Sequence, residues 1–155
     1  MSKNIEQRLI VDNAEKGKLR YNIFKSAIGR IKESIEKGFF LESITLCESL
    51  ISDRLESRLN FLDGSDKYSF QPLGALQKGI GNLEKNEEFK QLVSGDLNDW
   101  RLSRNKALHR MAKISSNHQK TWESKMMESE LIAIEGERVR SEIFRMTDKL
   151  QRNKS

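Results

Sequence analysis

The sequence predicts an all-α fold, a bundle of four long helices with short helices between them. Three observations carry that expectation. Only one proline occurs in 155 residues, and apolar residues recur every three or four positions over long stretches. The 36% apolar content is balanced by 33% charged residues, which suits helices with one buried stripe and a solvated outer face. A chain of this length reads as one domain, residues 1–155, with room for a hydrophobic core.

The elements follow in order. Residues 1–18 are polar apart from Leu9, Ile10 and Val11, a pattern that fits either a short helix or a loosely held N-terminal arm. From Tyr21, the residues Phe24, Ala27, Ile28, Ile31 and Ile35 recur at helical spacing, and Gly38 is placed to cap that helix. Phe40, Ile44, Cys47, Ile51, Leu55, Leu59 and Leu62 then give the best-patterned stripe in the chain, broken by Asp63-Gly64-Ser65-Asp66. After a loop to Gln71, Pro72 fits the first position of a third helix striped by Leu73, Leu76, Ile80 and Leu83.

Asn86 is expected to cap a short helix holding Phe89, Leu92 and Val93, with Ser94-Gly95 ending it. Asp96 then reads as the N-cap of the next helix, with Asp99 adding negative charge to its first turn. Ser115-Ser116-Asn117 is expected to turn the chain. Ser116 and Gln119 have capping-box spacing for a final helix over about 118–149. Its apolar residues are Trp122, Met126, Leu131, Ile134, Val139, Ile143, Met146 and Leu150, with a drift near Gly136.

Composition narrows the function. Cys47 is the single cysteine, so a disulfide framework or a cysteine zinc site within one chain is excluded. No apolar segment suits a signal peptide or a membrane span, and the expected location is the cytoplasm, a reducing compartment. The formal charge of +5 is concentrated. Residues 100–121 hold six cations and no acid, while the rest of the chain has 22 basic against 23 acidic residues. A polyanionic partner at that segment is the expectation, against the plainer reading of a basic solvated face.

That segment holds an odd helix. Leu97, Trp100, Ala107, Leu108 and Met111 share one stripe, and Arg104 falls in its middle. Arg104-Asn105-Lys106-Ala107-Leu108-His109 has the form Arg, four residues, His, with Asn directly after the Arg. Here the chain resembles the HEPN superfamily (higher eukaryotes and prokaryotes nucleotide-binding), helical bundles with this signature on a late helix. The order of elements agrees over most of residues 20–150, although six residues carry the signature. The resemblance implies a metal-independent endoribonuclease acting as a homodimer, with Arg104, Asn105 and His109 as catalytic residues. Family members often serve as toxins or antiviral defence effectors, which implies an antitoxin or nucleotidyltransferase partner.

Chemistry independent of the resemblance suits these residue types. Cleaving RNA through its own 2′-hydroxyl needs one proton removed, one delivered, and positive charge on the phosphorane. Histidine transfers protons near neutral pH, and arginine offers a planar, permanently charged fork to phosphate oxygens. The motif holds no carboxylate or Cys/His cluster, so no metal and no cofactor are expected. Arg104 and His109, five apart, project about 140° from each other, whereas Asn105 and His109 share a face. Arg104 therefore reaches round the helix or meets the histidine of a second copy across a two-fold axis.

Each residue also has a plainer reading. Arg104 could be a core-edge arginine paired with Glu48, Asp53 or Glu56 of the second helix. His109 could be a surface histidine, and His118 suits a helix start better than a second base. Trp100 and Trp122 could stack on bases, but their spacing favours packing. Arg101, Lys106, Arg110 and Lys113 are the candidate RNA contacts. They spread round the helix, with Arg101 and Lys113 nearer the Asn105/His109 side. The alternative function is a non-catalytic dimeric scaffold or a nucleotide- or protein-binding module. Nothing resembles a DNA-reading helix-turn-helix.

Overall fold

The computed structural model describes the backbone of residues 2–113 and 120–153, and side chains over 14–113 and 120–153. Its elements are α1 (Ser2–Lys37), α2 (Phe40–Asp63), α3 (Leu73–Leu83), α4 (Glu87–Leu92), a π-helical turn (Val93–Leu97), α5 (Asn98–Arg110) and α6 (Trp122–Arg152). The described residues include no strand, so the chain is all-helical.

α2 is the hub, because its stripe faces three neighbours. Phe40, Ile44, Cys47, Leu50, Ile51, Leu55 and Leu59 are buried along it. It packs most extensively on α6, then on α1 and α3. Each aliphatic side chain fully removed from water contributes about 1.5–3 kcal/mol. α1 adds Ile31 to the core, bordered by Phe24, Ala27, Ile28 and Ile35. It starts at Ser2, so the segment before Tyr21 is the first half of a long helix and not a separate short one. Gly38 closes α1 at φ 80°, with Phe39 N donating to Ser34 O at 2.7 Å, the left-handed cap that glycine adopts without a Cβ clash. Gly64 ends α2 in the same way.

Several expected boundaries move. Pro72 is the residue just before α3, not its first helical position. Asn86 does cap α4, its Oδ1 accepting from Phe89 N at 2.9 Å. Ser94-Gly95 does not end that helix, and Asp96 is not an N-cap. The chain runs on through the π-helical turn into α5. A turn wider than α keeps residues four apart on one face, so Phe89, Val93 and Leu97 are all fully buried. Gln77 of α3 supplies a donor to Val93 O at 3.0 Å. Asp96 instead points to α6 and pairs with Arg138 at 3.0 Å.

α6 begins four residues later than expected. Thr121 caps it, with Oγ1 accepting from Ser124 N at 3.1 Å. The expected turn at Ser115-Ser116-Asn117, the Ser116/Gln119 capping box and His118 lie outside the described residues. The buried face of α6 also differs from the expected one. It consists of Ser129, Ile132, Ala133, Gly136, Val139, Arg140, Ile143, Phe144, Met146 and Thr147. Trp122, Leu131 and Ile134, expected to pack, are exposed. The small residues Ala133 and Gly136 take the inner face because α5 brings a bulky ring to it.

Candidate functional site

The motif helix α5 is held at three points. Near its start the Trp100 indole is buried directly over Gly136 of α6. A Cβ added there would stand 2.9 Å from Cε2, Cζ2 and Nε1 of the ring. Trp100 Nε1 donates to Ile132 O at 2.9 Å, so the buried N–H is satisfied. At the other end Lys125 of α6 donates to the carbonyls of Arg110 (2.9 Å), Met111 (3.0 Å) and Lys113 (2.9 Å). An ammonium on the last carbonyls both satisfies them and complements the helix dipole.

The third point answers why a guanidinium occupies an apolar stripe. Arg104 ion-pairs with Glu48 of α2, their side chains 11% and 30% exposed. Arg104 Nη2 donates to Asn105 Oδ1 at 2.6 Å, and the guanidinium carbon stands 5.8 Å from the Trp100 ring centroid. Its Nε is buried without an acceptor among the described residues. Burial pushes the Arg104 guanidinium below its ordinary value, although arginine stays charged at any physiological pH. Of the three carboxylates open to it, Arg104 takes Glu48.

Asn105 and His109 are both exposed, one turn apart on the same face. His109 Nε2 lies 3.1 Å from Lys113 Nζ. An ammonium can only donate, so Lys113 is the donor in this contact. No hydrogen bond joins Arg104 to His109 among the described residues, since Arg104 is engaged by Glu48 and Asn105.

The four candidate RNA-contacting cations divide. Lys106, Arg110 and Lys113 are exposed. Arg101 is half-buried and leans toward α3, where Gly74 leaves space: a Cβ there would stand 3.4 Å from Arg101 Nη1. It also donates to Asn98 Oδ1 at 3.2 Å. The charge on α5 is polar along its length. Asp96, Asp99 and Glu135 line a small cleft with Trp100, Ser103 and Leu131 at its start, whereas the cations cluster at its end. A phosphate chain is repelled from the first and attracted to the second.

Two anchors escaped sequence reasoning. Lys125 carries no local signal, because its partners are backbone carbonyls 12 to 15 residues away. Gly136 reads as a break in the stripe, and only the Trp100 ring explains it. Among the described residues no group of three or more His, Cys, Asp or Glu is placed to hold a metal ion. No helix among them is long and apolar enough to cross a membrane. Set against known proteins, the chain matches no family model, and no match is found among curated proteins or solved structures.

Proposed function

We propose that the chain is a HEPN-like endoribonuclease, a cytoplasmic homodimer that cleaves RNA without a metal by attack of the 2′-hydroxyl. The observation that carries this reading is the linked arrangement on α5: Arg104 is oriented by Glu48 and Asn105, while His109 stands exposed on the Asn105 face. With Lys113 turned away toward phosphate, the His109 ring nitrogen it contacts accepts the 2′-hydroxyl proton. The remaining N–H groups of Arg104 meet charge on the phosphorane, and Asn105 orients the phosphate or the imidazole. A two-fold axis near α5 brings a second His109 to the leaving 5′-oxygen. Exposed Leu131 beside Ser103, with Met127 and Ile134 along α6, supplies apolar surface for that contact. An antitoxin or nucleotidyltransferase partner belongs to the same proposal.

One experiment tests the chemistry. Purified protein incubated with total RNA in EDTA should leave 2′,3′-cyclic phosphate ends, spare substrates with 2′-deoxyribose at the cut site, and run at about twice 18 kDa. His109→Ala should abolish cleavage while RNA affinity and helical content stay near wild type. Strict dependence on a divalent metal, or full activity in His109→Ala, sinks the assignment.

A second reading has its own observation. Arg104 is only 11% exposed and tied to Glu48, as a purely structural arginine would be. With apolar Leu131 and Met127 exposed on α6, the chain would then be a non-catalytic dimeric scaffold. A protein that dimerises but leaves RNA intact under every condition favours this reading.

A further inference from the structure

The motif helix carries charge in a self-complementary order. Asp99, Ser103, Lys106 and Arg110 are all exposed on α5. Their steps of four, three and four residues set them within about 60° of one another, on one face. Counted from the point between Arg104 and Asn105, Asp99 mirrors Arg110 and Ser103 mirrors Lys106. An acid therefore starts this face, and cations end it.

Neither end is neutralised within the chain. Asp96, Asp99 and Glu135 line one cleft at the acidic end. Arg138 takes Asp96 at 3.0 Å and Glu135 at 2.5 Å, while the Asp99 carboxylate has no partner among the described residues. Three carboxylates thus share one guanidinium. At the other end the Lys106 ammonium and the Arg110 guanidinium have no acid partner among the described residues. Exposed Leu102 borders the stripe on one side, and exposed Leu131 of α6 stands beside Ser103 in the cleft. A face ordered in this way fits a second copy of itself laid antiparallel about a two-fold axis. A parallel two-fold pair would instead set Asp99 against the partner's Asp99 and Arg110 against the partner's Arg110, like on like.

We propose that α5 pairs antiparallel with α5 of a second copy, so that Asp99 meets the partner subunit's Arg110 at the acidic cleft and Ser103 meets the partner subunit's Lys106. Each contact occurs twice. Leu102 and Leu131 give the contact apolar area, and the charges fix its register. The two-fold axis of such a pair stands perpendicular to the plane of the two helices, so matching flanks of both open to the same side. Asn105 and His109 lie about 110° round α5 from the contact face, and both copies of them share that side. Lys106 and Arg110 thereby belong to the contact between copies, which leaves Lys113, beside His109, to meet phosphate. This register rests on the dimer that both readings above contain, and not on RNA cleavage.

The test follows the full chain by sedimentation velocity with no RNA present. Wild type should dimerise at micromolar concentration. Asp99→Lys and Arg110→Glu each set like charges opposite one another, and each alone should raise the dissociation constant at least about tenfold, with helical content unchanged. Mixed in equal amounts, the two variants should dimerise as wild type does, because both contacts of the mixed pair join opposite charges. Lys25→Glu, exposed on α1, should change nothing. Wild-type dimerisation in either reversal alone, or a mixture that stays monomeric, overturns the register while leaving the homodimer and its cleavage assay standing. A wild type that is monomeric at every concentration overturns the register and the dimer together. Loss of RNA binding in Arg110→Glu with dimerisation intact gives that cation to RNA and overturns the proposal as well.

Discussion

Replacing Glu48 by Gln tests whether an α2 carboxylate sets the position of the motif arginine. The two partners are unequally buried, Arg104 at 11% and Glu48 at 30% exposure, so their removal should cost unequal amounts. Glu48→Gln keeps an amide oxygen but removes the charge, leaving a guanidinium away from water whose Nε already lacks an acceptor with only neutral amide oxygens, that of the new Gln and that of Asn105, as partners. Orphaning one member of a buried pair costs about 3–5 kcal/mol, while fully exposed pairs are worth about 0–1 kcal/mol. Water reaches one end of this pair, which places the expected loss between those limits, at about 2–3 kcal/mol. In a chain of this length each kcal/mol moves Tm by about 2–4 °C, so the midpoint should fall by about 4–12 °C. Arg104→Met keeps the apolar stem against Trp100 and frees Glu48 to reach solvent, so it should cost about 1 kcal/mol or less. The double variant should lie close to Arg104→Met, giving a coupling energy of about 2–3 kcal/mol, the whole cost of Glu48→Gln. Urea and thermal denaturation followed by circular dichroism measure all four corners. A Glu48→Gln protein within about 0.5 kcal/mol of wild type would refute the anchoring role. On the ribonuclease reading, Glu48→Gln should also slow cleavage at a temperature where the variant is fully folded.

Gly136→Ala should destabilise the chain even though alanine is the better helix former by up to about 1 kcal/mol. Its Cβ would meet three atoms of the buried Trp100 ring at 2.9 Å, and overpacking of this kind costs about 1–3 kcal/mol. A lower urea midpoint with altered tryptophan fluorescence is expected, and unchanged or raised stability would contradict the packing argument. The Arg58–Glu84 pair makes a prediction about acid. Burial pushes the Glu84 carboxyl up, but hydrogen bonds from Arg58 and from the N–H groups of Asn86 and Lys85 outweigh it and hold Glu84 below its ordinary 4.5. A depressed folded value means that this stabilisation is complete above 4.5 and lost as pH falls through the folded value. Glu84→Gln should therefore lose about 3 kcal/mol at neutral pH and show a shallower decline below pH 4.5. Parallel acid declines for the two proteins would show that Glu84 is not the group responsible.

The parts legible in the sequence are those whose causes are local or whose partners are large. The α2 stripe is written in bulky aliphatics at helical spacing, and all but Leu62 are buried. Gly38, Gly64 and Asn86 act within a few residues of themselves, so turn and cap chemistry identifies them. α6 misleads because the bulk that fills its inner face comes from another helix. Trp100 needs Gly136 beneath it, and Arg140 is buried through its pair with Glu137, at 2.6 Å. A pattern of large apolar residues therefore points one stripe over, to Leu131 and Ile134. Ser94-Gly95-Asp96 likewise reads as a stop and a cap. Burial of Phe89, Val93, Leu97 and Trp100 along one face overrides that local preference.

The choice of partner for Arg104 follows from the same geometry. Glu48, Asp53 and Glu56 sit on one helix but point to different neighbours, because five residues turn the side chain by about 140° and three more by about 300°. Glu48 meets α5, and Asp53 meets Arg20 of α1. Glu56 accepts from the backbone N–H of Phe70 at 3.1 Å. That contact holds a loop residue at φ 62°, a conformation an aromatic side chain rarely adopts. All three acids on the rim of α2 are thus committed, each to a separate element. Spacing could not single out Glu48, since the rotational setting of α2 is decided by its buried stripe. Once Ile44, Cys47, Ile51 and Leu55 face inward, only Glu48 among the three comes round to the motif helix. A one-residue slip of α2 would turn Glu48 away by about 100° and expose the core stripe at the same time. The packing that makes the bundle therefore also aims its arginine.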